Sequence, residues 1–179
     1  MDALQERVAK LNALAQQRPR PDRLGEVRDA LEDKFEGVQG AAVKVLGAWG
    51  DADSLKLLRE FLTKAFDRPL GWSIRGAAIK ALAPHIDKGD ADWVLDIYFG
   101  LAEVVTKHEV LPLVLALPPG AARERLVTAL RDAASGNRQA AVKAIGNMSY
   151  PDRLQLISLL RDDQDKFVRD SVQALIRRG

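Results

Sequence analysis

Residues 38–47 read VQGAAVKVLG, residues 74–83 read IRGAAIKALA and residues 137–146 read NRQAAVKAIG. The same residue types recur at the same offsets, lysine included. Aligned, they define a nine-position frame that Val38, Ile74 and Val168 open in three copies, and Glu109 and Asn137 in two degenerate ones. Position two is Gln39, Arg75, Val110, Arg138 and Arg169, and position five is Ala42, Ala78, Leu113, Ala141 and Val172. Position eight is Val45, Ala81, Ala116, Ala144 and Leu175, followed by Leu46, Leu82, Leu117, Ile145 and Ile176. Apolar residues at positions one, five, eight and nine form the i, i+4, i+7, i+8 stripe of an amphipathic helix. The openings lie 36, 35, 28 and 31 residues apart. A near-constant period of that length marks a stacked helical repeat.

A second apolar-striped stretch precedes each copy: PDRLGEVRDALED (21–33), DADSLKLLREFLTKAF (51–66), DADWVLDIYFGLAEV (90–104), GAARERLVTALRDA (120–133) and PDRLQLISLLRD (151–162). Several begin with Asp beside Pro or Gly, which suits a helix start. Each unit is therefore a pair of helices joined by a turn. The stretch DWVLDIYFGLAEVV (92–105) is apolar almost all round, as expected of a helix in a buried middle unit. A further amphipathic helix covers residues 3–16, with Leu4, Val8, Leu11 and Leu14 on one side. QRPRPDR (17–23) separates it from the array. No stretch keeps a period of two, so no sheet is expected.

The V-R-x-x-A-x-x-A-L frame in the second helix of a pair resembles HEAT repeats, especially the short HEAT-like units of bacterial proteins and phycobilin lyases. The resemblance covers residues 22–178 and is clearest from Ile74 to Leu82. Its period is shorter than the usual 40–47 residues of such units. Pro112, near the start of the copy at 109, predicts a short or bent helix there. The resulting expectation is an all-α solenoid, a superhelix of about five stacked hairpins behind an N-terminal helix. It forms one domain over 1–179, with a cap at 1–17 and repeats at about 22–49, 51–86, 90–118, 120–149 and 151–178.

The totals agree with a soluble domain. The 179 residues are 47% apolar and 29% charged, enough for a core and too apolar for a disordered chain. There is no cysteine, which excludes disulfides and thiolate metal sites. The opening MDALQERVAK carries acids and lacks a long apolar run, so no secretory signal is expected there, and the apolar run VLPLVLALPP (110–119) is too short for a bilayer. A cytoplasmic protein without membrane association is expected. A net charge of +2 permits an anionic partner without arguing for one.

Position seven holds Lys44, Lys80 and Lys143, with Leu115 and Ala174 in the other copies. It lies about 200° around the helix from the buried position five, so these lysines are expected to face solvent. Positions three and ten on that face are mostly small: Gly40, Gly76 and Gln139, then Gly47, Ala83 and Gly146. Lysines over a shallow floor suit a carboxylate- or phosphate-bearing partner; lysine is equally an ordinary occupant of a solvated helix face. Trp72, in an inter-helix turn, joins them as a candidate contact residue. Arg75, Arg138 and Arg169 match the HEAT-type arginine, and the resemblance implies that they tie neighbouring repeats through acids in the turns, with Asp67 and Asp165 as candidates.

Other motifs carry little chemistry. GWSIRG (71–76) has one residue too many for a nucleophile elbow, and Ser73 reads as a helix cap. DKGDAD (87–92) lacks the ligand order of a calcium loop, and GAWGD lacks the Lys-Ser/Thr of a P-loop. His85 reads as a core-edge residue, and one His-Glu pair, 108–109, falls short of the several that HEAT-like di-iron hydroxylases need. No cofactor or metal is expected. The leading functional reading is a non-enzymatic scaffold that binds a macromolecule, a protein first, on its concave face. Two alternatives follow from resemblance. One is a nucleic-acid binder of the HEAT-like DNA glycosylase type, with Trp93 and Asp96 as its pair. The other is a helper of the phycobilin lyase sort.

Overall fold

In the computed structural model, residues 3–67 and 72–178 are described, except for the side chains of Asp67 and Trp72. They form α-helices and short 3₁₀ turns, with no strand among them. The chain divides into two compact units, residues 1–85 and 86–179.

The first unit contains α1 (Ala3–Leu14), α2 (Leu24–Leu31), α3 (Glu36–Trp49), α4 (Ala52–Asp67) and α5 (Trp72–Leu82). Its centre is α3, which packs against all four of the others. Val38, Ala42, Val45 and Leu46 of α3 are completely buried, as are Leu58 and Leu62 of α4 and Ala78 and Leu82 of α5. Those of α3 and α5 are stripe positions of the frame, and burying such residues stabilises each large side chain by about 1.5–3 kcal/mol. Gly50 ends α3 with φ 62°, a left-handed conformation that glycine adopts without a Cβ penalty, and its amide donates to the Leu46 carbonyl at 3.0 Å. Asp51 then starts α4: its carboxylate accepts from the Ser54 amide at 3.2 Å and the Ser54 hydroxyl at 2.6 Å. The N-terminal helix buries Leu11 and Leu14, and the Trp49 indole donates to the Leu14 carbonyl at 3.2 Å.

The second unit contains α6 (Ala91–Gly100), α7 (Val104–Ala116), α8 (Pro119–Ala129), α9 (Ser135–Asn147), α10 (Arg153–Ser158) and α11 (Lys166–Ile176). Here α9 is central and packs against α7, α8, α10 and α11. Its Ala140, Ala141, Ala144 and Ile145 are fully buried. The small side chains bring the neighbouring helices close. Tyr98 of α6 is buried with them and donates its hydroxyl to the Ala140 carbonyl at 2.8 Å. Burial pushes the Tyr98 phenol far above its ordinary pKa.

Two expectations change here. The apolar stretch 92–105 is not one helix: α6 ends at Gly100, and Val104 and Val105 belong to α7. Nor is α6 covered all round, for Asp92, Asp96 and Gly100 line an exposed side. The helix through Pro112 is not short, since α7 runs for 13 residues with that proline inside it. Proline removes one backbone donor, and tertiary packing of Val110, Leu113 and Val114, all fully buried, outweighs the loss.

Candidate functional site

In four of the five second helices the fourth residue has a common task. Gln39, Arg75, Lys107, Arg138 and Arg169 hold that place in α3, α5, α7, α9 and α11. The Gln39 amide donates to the Asp33 carbonyl at 2.8 Å. Lys107 Nζ donates to the Phe99 and Tyr98 carbonyls at 2.8 and 3.2 Å. Arg138 Nη1 reaches Asp132 O at 2.9 Å and Ala133 O at 3.0 Å; Arg169 Nη1 reaches Asp163 O at 2.6 Å and Gln164 O at 3.0 Å. In each case a donor satisfies carbonyls left open at the end of the preceding helix or in its turn. Cations suit that end because the helix dipole is negative there. Arg75 stacks its guanidinium 5.8 Å from the centre of the Phe66 ring.

Lys107 corrects the register of the third copy. With Lys107 at position two, Thr106 opens the copy, and the openings fall 36, 32, 31 and 31 residues apart. Position five becomes Val110, positions eight and nine become Leu113 and Val114, and position seven becomes Pro112. The sequence alignment sat three residues late because lysine replaces arginine there and threonine replaces the apolar opener. Only 2% of Lys107 is exposed, and burial lowers its pKa against the opposing pull of Asp132.

Arg138 has a further partner. Its Nε and Nη2 donate to the two Asp163 oxygens at 2.7 and 2.8 Å, with side-chain exposures of 7% and 5%. Asp163 lies in the turn before α11, so the pair joins α9 to the next helix pair. The Arg138 guanidinium holds the Asp163 carboxyl below the usual carboxylate range. Asp165, the acid singled out in the sequence, instead caps α11 by accepting from the Phe167 and Val168 amides at 2.8 and 3.3 Å. The side chains of Asp67 and Trp72 lie outside the described residues.

The position-seven lysines occupy different surroundings. Lys44 and Lys80 are exposed and border one open groove of about 440 Å³ along α3 and α5. Gly40, Gly47, Ala77 and Ala81 lie on its floor, and no carboxylate lines it among the described residues. Lys44 Nζ is 3.3 Å from Asn12 Oδ1 of α1. His85 closes one end, its Nε2 3.0 Å from the Gly47 carbonyl oxygen. Gly47 is also a point of close approach: a Cβ there would lie 2.7 Å from Ala81 Cβ.

Lys143 does not stand clear in solvent. It is half-buried on α9, with Nζ against Nε2 of His108 on α7. Burial lowers the pKa of both groups, and for His108 the Lys143 charge adds to the effect. No sequence motif joined these two residues, because their contact depends on the three-residue shift of α7. The floor position Gly146 lies under Leu175, where a Cβ would come within 2.5 Å of Leu175 Cδ1.

The remaining candidates have local partners. Ser73 lies inside α5 and donates to Glu36 Oε2 at 3.4 Å, so it does not cap that helix. Asp87 and Asp90 cap each other's backbone amides in the 3₁₀ turn Lys88–Asp90. Asp96 is exposed and bound by Arg125 at 2.7 Å, while Trp93 is half-buried. Among the described residues, no group of three or more His, Asp or Glu side chains is placed to hold a metal ion, and no helix is long and apolar enough to cross a membrane.

A family model for HEAT repeats matches residues 3–83 and 100–176. Among solved structures, the chain is similar to the designed armadillo repeat protein YIII(Dq)4CqI, at 16% identity and a TM-score of 0.38 over 98% of this chain and 94% of that one. No curated protein matches it.

Proposed function

Since the chain belongs to the HEAT repeat family, we propose that it is a non-enzymatic cytoplasmic scaffold. It binds a macromolecular partner, a protein, on the faces bearing Lys44, Lys80 and Lys143. The observation that carries this reading is the α3–α5 groove, where two exposed ammonium groups stand over a glycine and alanine floor with no lining carboxylate. Such a floor lets a partner backbone approach closely, and the lysines select for acidic side chains. Contacts spread over several helices make each lysine worth a modest share of affinity.

The test is affinity capture from the native cell with wild-type chain and with the triple variant Lys44→Glu, Lys80→Glu, Lys143→Glu, whose helicity is checked by circular dichroism. The wild type should retain a defined set of proteins that the variant loses. Recovery of the same set by both would overturn the proposal. Titration with duplex DNA at low and moderate salt should show no binding; a steeply salt-dependent affinity would replace the protein partner with nucleic acid.

A further inference from the structure

The second unit carries a groove of different chemistry. It runs along α9 and α11, has a volume of about 400 Å³, and is lined by Leu111, Lys143, Phe167, Ala174, Leu175 and Arg178 among others. Phe167 is 67% exposed, so a whole aromatic ring stands at the N-terminal end of α11 with little covering it. Arg178 is exposed beyond the other end of that helix. An exposed ring beside an apolar floor is the usual make-up of a binding anchor.

The polar groups of the groove are unevenly used. Asp170, its carboxylate, is held by Lys166 at 2.5 Å. The Gln139 amide is spent on Phe167 O at 3.1 Å and Ser171 Oγ at 3.0 Å. Lys143 touches an imidazole, not a carboxylate. Two cations therefore face the groove while its one acid is already paired. Phe167 stands near the start of α11 and Arg178 just past its end at Ile176, and that helix of 11 residues is about 16 Å long at 1.5 Å per residue. That length matches about three turns of a docked helix.

We infer that this groove receives an acidic amphipathic helix of a partner protein. Its apolar stripe lies on Phe167, Leu111 and Ala174, and its carboxylates meet Lys143 and Arg178. The chemistry is complementary: leucine-type side chains cover the ring and floor, and acids neutralise the two cations. Among the described residues, no exposed aromatic ring of that kind lines the α3–α5 groove, which is floored by glycine and alanine. The inference rests on the scaffold reading and specifies the partner for one groove.

The experiment uses the full chain and a fluorescein-labelled peptide of about sixteen residues. It contains Leu at i, i+3, i+4 and i+7, Glu beside that stripe, and Ala elsewhere. Fluorescence anisotropy should show saturable binding, weakened about tenfold or more by Phe167→Ser and by the double variant Lys143→Glu, Arg178→Glu. Lys64→Glu, an exposed change on α4 outside both grooves, should leave it unchanged. Phe167 is largely exposed, so its replacement keeps the fold, and circular dichroism checks this. No saturation up to about 1 mM, equal binding of a peptide with Lys in place of Glu, or indifference to both variants would overturn the inference. Should the peptide fail while native partners still depend on Lys44 and Lys80, this groove assignment falls and the scaffold stands.

Discussion

At the scale of single residues, buried donors decide stability. Arg138 and Asp163 form a two-point ion pair nearly out of water. Removing the guanidinium leaves a buried carboxylate, so Arg138→Ala should cost about 3 kcal/mol in urea unfolding. Lys107→Met keeps the apolar stem but frees the Tyr98 and Phe99 carbonyls, and a loss of about 1–3 kcal/mol is expected. Lys107→Arg should recover more than half of that loss, because arginine does the same task in α9 and α11. His108 gives a pH signature. The folded chain holds it below its ordinary value, so the unfolded chain takes the proton first as pH falls below about 6.5. Stability complete above that pH is lost as it falls through the folded value, and His108→Gln should flatten this part of the urea-midpoint profile. The frame exposed Arg138 and Arg169 as special residues, since they recur at one offset. Lys107 and the His108–Lys143 contact stayed hidden, because each depends on a register that the irregular third copy disguises.

At the scale of the elements, the helix pairs follow from periodicity, and their close approaches follow from glycine. Substituting alanine for a helical glycine ordinarily gains about 0.5–1 kcal/mol. At Gly47 the added Cβ would lie 2.7 Å from Ala81 Cβ and 3.3 Å from Ala81 Cα, so α3 and α5 must separate. Overpacking of that kind costs about 1–3 kcal/mol, and Gly47→Ala should lower the melting temperature. Gly146→Ala meets Leu175 side-chain atoms alone, Cδ1, Cδ2 and Cγ, with no backbone atom of a neighbouring helix among them, and should cost less. Differential scanning calorimetry of the two variants checks the order. The stripe was readable because buried positions must be apolar at a fixed spacing. The break at Gly100 was not, since Leu101 and Ala102 continue the apolar run although the backbone turns extended at Leu101.

At the scale of the whole molecule, each compact unit has its own core and central helix. Residues 1–85, expressed alone, should therefore give a helical spectrum and one cooperative urea transition, with α3 amides exchanging last. A broad, gradual loss of ellipticity would contradict that expectation. The recurrent carbonyl clasp at the fourth residue has a consequence for how such chains diverge. A carbonyl oxygen asks for a hydrogen at the right distance and is indifferent to whether an amide, an ammonium or a guanidinium brings it. Glutamine, lysine and arginine thus become interchangeable letters for one mechanical part, and a repeat can drift far in spelling while its joint keeps the same fastening.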